Sequence, residues 1–99
     1  MIEALFNQLF TEDDRIRIRS RTRSEPTETE RKAWILFAYM SDYSIYDIAW
    51  CTNRKSRQVK YLLAKAEDLF SVNDRTLLSF IEKYERALEQ SGGSDSKND

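Results

Sequence analysis

Glycine and proline are nearly absent from this chain, and their scarcity limits the folds it can adopt. Its 99 residues contain a single proline, Pro26, and two adjacent glycines, Gly92 and Gly93. Sheets joined by tight hairpins need such residues at their turns, whereas helix interiors exclude them. The charged fraction of 33% suits helices with solvated outer faces. The sequence therefore predicts an all-α protein, and its length predicts one domain with a modest core.

Apolar residues at helical spacing divide the chain into segments. The predicted helices cover residues 2–10, about 28–41, 44–52, 56–70 and 75–90. Residues 15–23 alternate arginine with other residues and fit a strand, an extended arm, or a helical turn that runs into a basic loop. Gly92 and Gly93 are expected to end the last helix. The result is a helical domain over 1–90 and a disordered polar tail over 91–99.

Capping residues mark where several of these helices begin. Thr27 or Thr29 is expected to cap the central helix, and Asn73 or Asp74 the last one. The central helix carries the run 33–40, which is apolar on nearly every side. Such a helix is expected to lie in the core, with neighbours packed around it.

The pattern over about 44–70 is typical of a helix-turn-helix. Ile48 and the small Ala49 fit the first helix where the two cross, while Val59 and Leu62 fit the inward face of the second. Asn53 suits the turn between them because asparagine tolerates left-handed backbone angles. We therefore expect a small helical bundle that contains a helix-turn-helix.

The start of the second helix carries donors that could reach phosphates and base edges in a major groove. The residues predicted to do so are Arg54, Lys55, Ser56, Arg57, Gln58 and Lys60. A solvated helix face is the alternative interpretation of this run.

Charge is distributed unevenly along the chain, although the net charge is only −1. Residues 1–14 carry no Lys or Arg against 4 acids, residues 15–65 carry 12 against 5, and residues 66–99 carry 4 against 8. A basic middle segment between acidic ends is compatible with a nucleic-acid partner despite the net charge.

The pattern of the helix-turn-helix and its flanking residues resembles that of a known protein family. The matching positions are the run 41–49 (Ser-Asp-Tyr-Ser-Ile-Tyr-Asp-Ile-Ala), Arg54, Val59 and the run 65–69 (Lys-Ala-Glu-Asp-Leu). They are similar to the C-terminal DNA-binding domain of the bacterial replication initiator DnaA, and the likeness covers roughly residues 2–88. The Trp repressor has a comparable all-helical architecture. The resemblance implies a free-standing DNA-binding module.

The same resemblance extends upstream of the helix-turn-helix. The run 21–24 (Arg-Thr-Arg-Ser) occupies the place of the family's basic loop, which enters the minor groove. It implies that Arg21 and Arg23 make this contact, with Arg19 as a substitute. The family's recognition helix opens with Gly-Arg-Asp-His, whereas residues 53–56 are Asn-Arg-Lys-Ser. Its sequence specificity is therefore not expected to carry over.

The residue inventory excludes most kinds of catalysis. There is no histidine, and Cys51 is the single cysteine, so no Ser-His or Cys-His pair and no zinc-finger spacing exists. We expect no enzymatic activity, no metal and no cofactor. The family's nucleotide-binding module has no counterpart here, so no nucleotide partner is expected. No apolar run approaches the roughly 20 residues of a membrane span. A cytoplasmic location without a membrane partner is the expectation.

The predicted function is binding of duplex DNA, sequence-selective or general, in transcriptional or replication control. A single module offers about 600–1,000 Å² to DNA, so a homodimer or a protein partner is expected where specificity is needed. Regulators encoded by phages and mobile elements are examples of proteins with this predicted function.

The alternative is a protein-interaction or adaptor module on the same scaffold, which would use Tyr43, Tyr46, Trp50 and the acidic ends. A continuous positive stripe from Arg21 to Lys60 would favour DNA, and a contiguous exposed aromatic patch would favour a protein partner.

Overall fold

Helices alone build the part of the chain that the structure describes. The computed structural model describes the backbone of residues 1–97 and the side chains of residues 1–90. Its helices are α1 (Ile2–Leu9), α2 (Glu12–Arg19), α3 (Thr27–Met40), α4 (Ile45–Thr52), α5 (Ser56–Ser71) and α6 (Arg75–Lys97). The predicted all-α class is confirmed. Gly92 and Gly93 do not end the last helix as predicted, because α6 continues through both to Lys97 and its backbone hydrogen bonds do not require a side chain at these positions. The predicted polar character of the tail over 91–99 concerns side chains outside the described residues.

Helix α3 is the centre of the bundle. Every residue from Ala33 to Ala38 is buried, and α5 and α6 pack along its length. Trp34 has no exposed surface, and its ring stacks on Phe6 of α1 with centroids 5.1 Å apart. Phe10 meets the same ring edge-on at 5.5 Å. The prediction that this helix forms the core is confirmed.

Three of the predicted helix boundaries depend on local hydrogen bonds. The Ser44 hydroxyl accepts from the Asp47 N–H at 3.1 Å and begins α4. Asp74 accepts from the Leu77 N–H at 3.0 Å at the start of α6. Asn53 ends α4 in the left-handed conformation, with φ 56° and ψ 46°. Each agrees with the role that the sequence predicts.

The start of α3 differs from the prediction. Neither Thr27 nor Thr29 caps the helix, because its N-cap residue is Pro26 and no side chain of that residue accepts a bond. A carboxylate one turn earlier does so instead: Glu25 Oε1 accepts from the Thr29 N–H at 3.1 Å and from the Thr29 hydroxyl at 2.7 Å. An acceptor that is also negatively charged suits a helix N-terminus.

Helix α2 resolves the three alternatives for residues 15–23 as a helix that leads into a basic loop. Its N-cap is Thr11, whose hydroxyl accepts from the Asp14 N–H at 3.2 Å. The acidic run 12–14 therefore forms the first turn of α2, besides following α1. Ile18 is buried while Ile16 is exposed, so the alternation in sequence does not correspond to a strand.

None of the helices within residues 1–97 is long and apolar enough to cross a membrane.

Tryptophan substitutions test the assignment of the core. Replacing Trp34 by alanine should lower the free energy of unfolding by about 3–5 kcal/mol, because a fully buried ring is lost and a cavity remains. Trp50→Ala is the matched control, because that ring is 64% exposed, and it should change stability by less than about 0.5 kcal/mol. Urea titrations followed by circular dichroism measure both. Equal effects would contradict the assignment.

The single thiol gives a second test. Cys51 is fully buried, and burial raises the pKa of its thiol to about 11 although the nearby Arg19 guanidinium acts in the opposite direction. Since the thiolate is the form that attacks thiol reagents, labelling of the folded protein near pH 8 should be at least about 100-fold slower than labelling in urea. Rapid stoichiometric labelling without denaturant would contradict this packing.

Candidate nucleic-acid interface

Helices α4 and α5 are joined by the three residues 53–55 and pack directly against each other. On α4, Ile48 and Ala49 are buried, as the sequence predicts. The inward face of α5 is formed by Val59, Leu63 and Ala66. Leu62, which is predicted on this inward face, lies at its edge: it is half-buried and packs against the core.

The first two turns of α5 present most of the predicted donors. Lys55, Arg57, Gln58 and Lys60 are exposed, and Ser56 is half-buried. Gln58 also shapes the helix start, because its Oε1 accepts from the Lys55 N–H at 3.1 Å. That bond occupies the amide oxygen and leaves the amide nitrogen as the donor.

Residues 20–26 connect α2 to α3 and form what we call the arginine loop. It carries Arg21 and Arg23, whose side chains are both exposed. Ser20 and Thr22 give the loop local hydrogen bonds: the Thr22 N–H donates to Ser20 Oγ, and the Ser24 N–H to Thr22 Oγ1, each at 3.3 Å.

A buried arginine fixes the position of this loop. Arg31 of α3 is only 1% exposed. Its guanidinium donates to four carbonyls where α2 ends and the loop begins: Arg17 at 3.2 Å, Ile18 at 2.8 Å, Ser20 at 3.1 Å and Thr22 at 2.9 Å. It also pairs with Glu28 at 2.6 Å. These partners compensate the cost of burying the charge.

Arg54 links the turn of the helix pair to the same loop. Its guanidinium donates to the carbonyls of Ile18 at 3.1 Å and Ser20 at 2.7 Å, and to that of Thr52 at 2.9 Å. Burial lowers the pKa of Arg54 to about 10, and the nearby charge of Arg31 acts in the same direction. The side chain stays charged at neutral pH, and its donors point into the protein.

A groove of about 650 Å³ lies between the arginine loop, α3 and α5, and we call it the basic groove. It is lined by Arg19, Arg21, Arg23, Glu28, Arg31, Lys32, Asn53, Arg54, Arg57, Gln58, Tyr61, Leu62 and Lys65. Eight of these side chains are Lys or Arg and one is acidic. The single acid, Glu28, is already paired with Arg31. The groove is therefore strongly positive in a chain whose net charge is −1.

Sequence reasoning missed part of the groove wall. Tyr61 and Lys65 follow the predicted Arg57 at successive four-residue steps of α5, so the three residues share one face of the helix. Lys65 Nζ is 5.4 Å from the centroid of the Tyr61 ring. Their four-residue spacing is a signal in the sequence that could have found them. Lys32 has no comparable signal, since it lies beside the apolar run of α3.

A second concavity of about 640 Å³, the turn hollow, opens next to the basic groove. It is lined by Arg21, Ala49, Trp50, Asn53, Arg54, Lys55, Arg57 and Gln58. Five of these residues also line the basic groove, so the two concavities are adjacent.

The structure brings six of the eight predicted contact residues together. Arg21, Arg54, Arg57 and Gln58 line both concavities, Arg23 lines the basic groove and Lys55 lines the turn hollow. Ser56 and Lys60 line neither.

The three aromatic residues that the alternative interpretation assigns to a protein partner differ in their exposure. Tyr43 is half-buried and its hydroxyl donates to the Met1 carbonyl at 3.4 Å. Tyr46 and Trp50, one turn apart on α4, are 76% and 64% exposed. Among the described residues, no group of three or more cysteine, aspartate or glutamate side chains could hold a metal ion.

Comparison with protein-family models, with curated proteins and with solved structures finds no match for this chain.

Arg54 and Arg57 lie three residues apart and should behave differently when replaced. Arg54→Ala leaves the Ile18 and Ser20 carbonyls without this donor, so the free energy that protects amides 18–20 from hydrogen exchange should fall by about 1–3 kcal/mol. Arg57→Ala is the control, because within residues 1–90 its side chain donates no hydrogen bond and protection should not change. Equal protection in both variants would show that Arg54 does not hold the loop.

Proposed function

We propose that this chain binds duplex DNA without catalysis, as a regulator of transcription or replication. The helix pair α4–α5 acts as a helix-turn-helix, and the N-terminal turns of α5 enter the major groove. The arginine loop contacts the adjacent backbone and minor groove.

The basic groove is the observation that carries this proposal. It joins the arginine loop to α5, and its lining has eight basic side chains against one acid that is already paired. Lining of this kind attracts a polyanion, and the release of DNA counterions then favours binding. Arg21, Arg23 and Arg57 project from elements that Arg31 and Arg54 hold in place. Less ordering is therefore needed when DNA binds.

The resemblance to the C-terminal domain of DnaA supports the same function. Its quoted positions fall on the connection before α4, on α4, on the turn and on α5, and the arginine loop lies beside the turn. The Gly-Arg-Asp-His signature of that family is replaced here by residues 53–56, so we propose a different target site. Lys55 and Arg57 favour contacts to guanine or phosphate.

A protein-interaction function has weaker support. Of its three aromatic residues, Tyr43 is engaged within the fold. Tyr46 and Trp50 are exposed, but Trp50 lines the turn hollow, whose lining is mostly basic and polar rather than apolar.

Fluorescence anisotropy with a random duplex tests the proposal. Binding should weaken steeply between about 50 and 200 mM salt. The variant Arg21→Ala/Arg57→Ala should bind at least about tenfold more weakly, and its log–log salt slope should be smaller by about two. These two arginines are chosen because both are exposed and neither fixes the fold.

The control removes the same charge elsewhere. Arg75→Ala/Arg86→Ala replaces two exposed arginines of α6 that lie outside both concavities, and it should bind nearly as the parent does. No binding at low salt, or equal losses in the two double variants, would overturn the proposal.

A further inference from the structure

The exposure of Trp50 is unusual for so large an apolar ring. Trp34, the other tryptophan, is fully buried, whereas Trp50 is 64% exposed on α4. Its neighbours across the turn hollow are cationic: Arg21, Arg54, Lys55 and Arg57 line the hollow, and no carboxylate does. Arg54 donates to backbone carbonyls inside the fold, so Arg21, Lys55 and Arg57 are the cations that can meet a ligand in the hollow. An exposed indole ring that shares a concavity with three such cations is neither a core feature nor an apolar docking patch.

The turn hollow offers a ligand two kinds of contact. An indole face offers stacking to a flat ring, and stacking on aromatic side chains is tolerant of base identity. Lysine and arginine offer partners to phosphate oxygens. A nucleotide carries both groups, whereas an apolar peptide would use the ring alone and an acidic peptide the cations alone. The Gln58 amide nitrogen adds a donor that could reach a base edge.

The residues that line both concavities indicate which nucleic acid would supply such a nucleotide. The turn hollow shares Arg21, Arg57 and three other residues with the basic groove. A strand bound in the basic groove would therefore lie beside the hollow that Trp50 lines. Within a duplex each base is stacked on its neighbours and its face is covered. Only a base that has left the stack can present its face to the ring.

We propose that the turn hollow takes an unpaired nucleobase stacked on Trp50, so that the protein prefers DNA with a single-stranded extension to a continuous duplex. This inference rests on the proposed function, because the duplex part of such DNA would lie in the basic groove. It adds a distinct property: recognition of the end of the paired region.

The experiment compares one blunt duplex with the same duplex carrying a short thymidine overhang at its 3′ or its 5′ end. The parent protein should bind one of the two overhang DNAs about 5- to 100-fold more tightly than the blunt duplex, as stacking of a base on an aromatic side chain requires. Trp50→Ala should lose this preference and keep its affinity for the blunt duplex. Trp50→Phe, which retains a ring, should keep most of the preference.

Tyr46→Ala is the matched control. Tyr46 lies one turn away on the same helix, is even more exposed than Trp50, and lines neither concavity, so its removal should leave the preference unchanged. Intrinsic fluorescence gives a second readout, since Trp50 is the solvent-exposed tryptophan and Trp34 is buried. The overhang DNA should quench the emission of Tyr46→Ala and of the parent more strongly than the blunt duplex does.

The outcomes separate this inference from the proposed function. Equal affinity of the parent for blunt and overhang DNA overturns the inference and leaves duplex binding standing. A preference that survives in Trp50→Ala also overturns it, because the ring is then not the platform. If the two DNAs bind equally and Trp50→Ala instead abolishes self-association in sedimentation, the face belongs to a second copy of the chain. Absence of binding to either DNA at low salt overturns both proposals.

Discussion

A buried guanidinium determines how the rest of the candidate site is arranged. Arg31 projects from the central helix α3 into the junction where α2 ends. The last carbonyls of a helix have no partner within it, and Arg31 supplies donors to those of Arg17 and Ile18. A helix as short as α2 is marginal by itself. The Arg31 side chain therefore stabilises the C-terminal end of α2, and it also orients the arginine loop through Ser20 and Thr22.

The arginines of this chain have two kinds of role. Arg31 and Arg54 donate their hydrogen bonds to backbone carbonyls inside the fold. They hold the arginine loop beside the turn between α4 and α5. Arg21, Arg23 and Arg57 donate no side-chain hydrogen bond within residues 1–90, and they project into the space that the inner pair defines. This division explains how a chain of net charge −1 can present a concentrated positive surface.

Local signals account for what the sequence predicted well. Ser44, Asn53 and Asp74 each act through atoms within a few residues, so spacing alone identifies them. The sequence does not distinguish helix from strand over α2, because Arg-Ile-Arg-Ile-Arg has the alternation of a strand. The cap at Thr11, three residues before Asp14, is nevertheless visible in the sequence.

Long-range contacts account for what the sequence did not predict. The carbonyls that accept from Arg31 lie 9 to 14 residues before it. Ser20 and Ile18, which accept from Arg54, lie 34 and 36 residues before it. Nothing in the composition of either segment distinguishes an arginine that braces the fold from one that faces solvent. The basic groove itself combines residues of α2, α3, α5 and two connections, so it exists only after folding.

The most direct test of the proposed function is to map which part of the protein surface a duplex contacts. Amide chemical shifts recorded by NMR during titration with a short duplex at low salt map the contact without any substitution. The largest changes should fall on residues 19–23 and 53–65, around the basic groove, while residues 82–90 of α6 should hardly change. Changes centred on α6 or on α1, or no changes at all, would contradict the assignment of the basic groove as the DNA-binding surface.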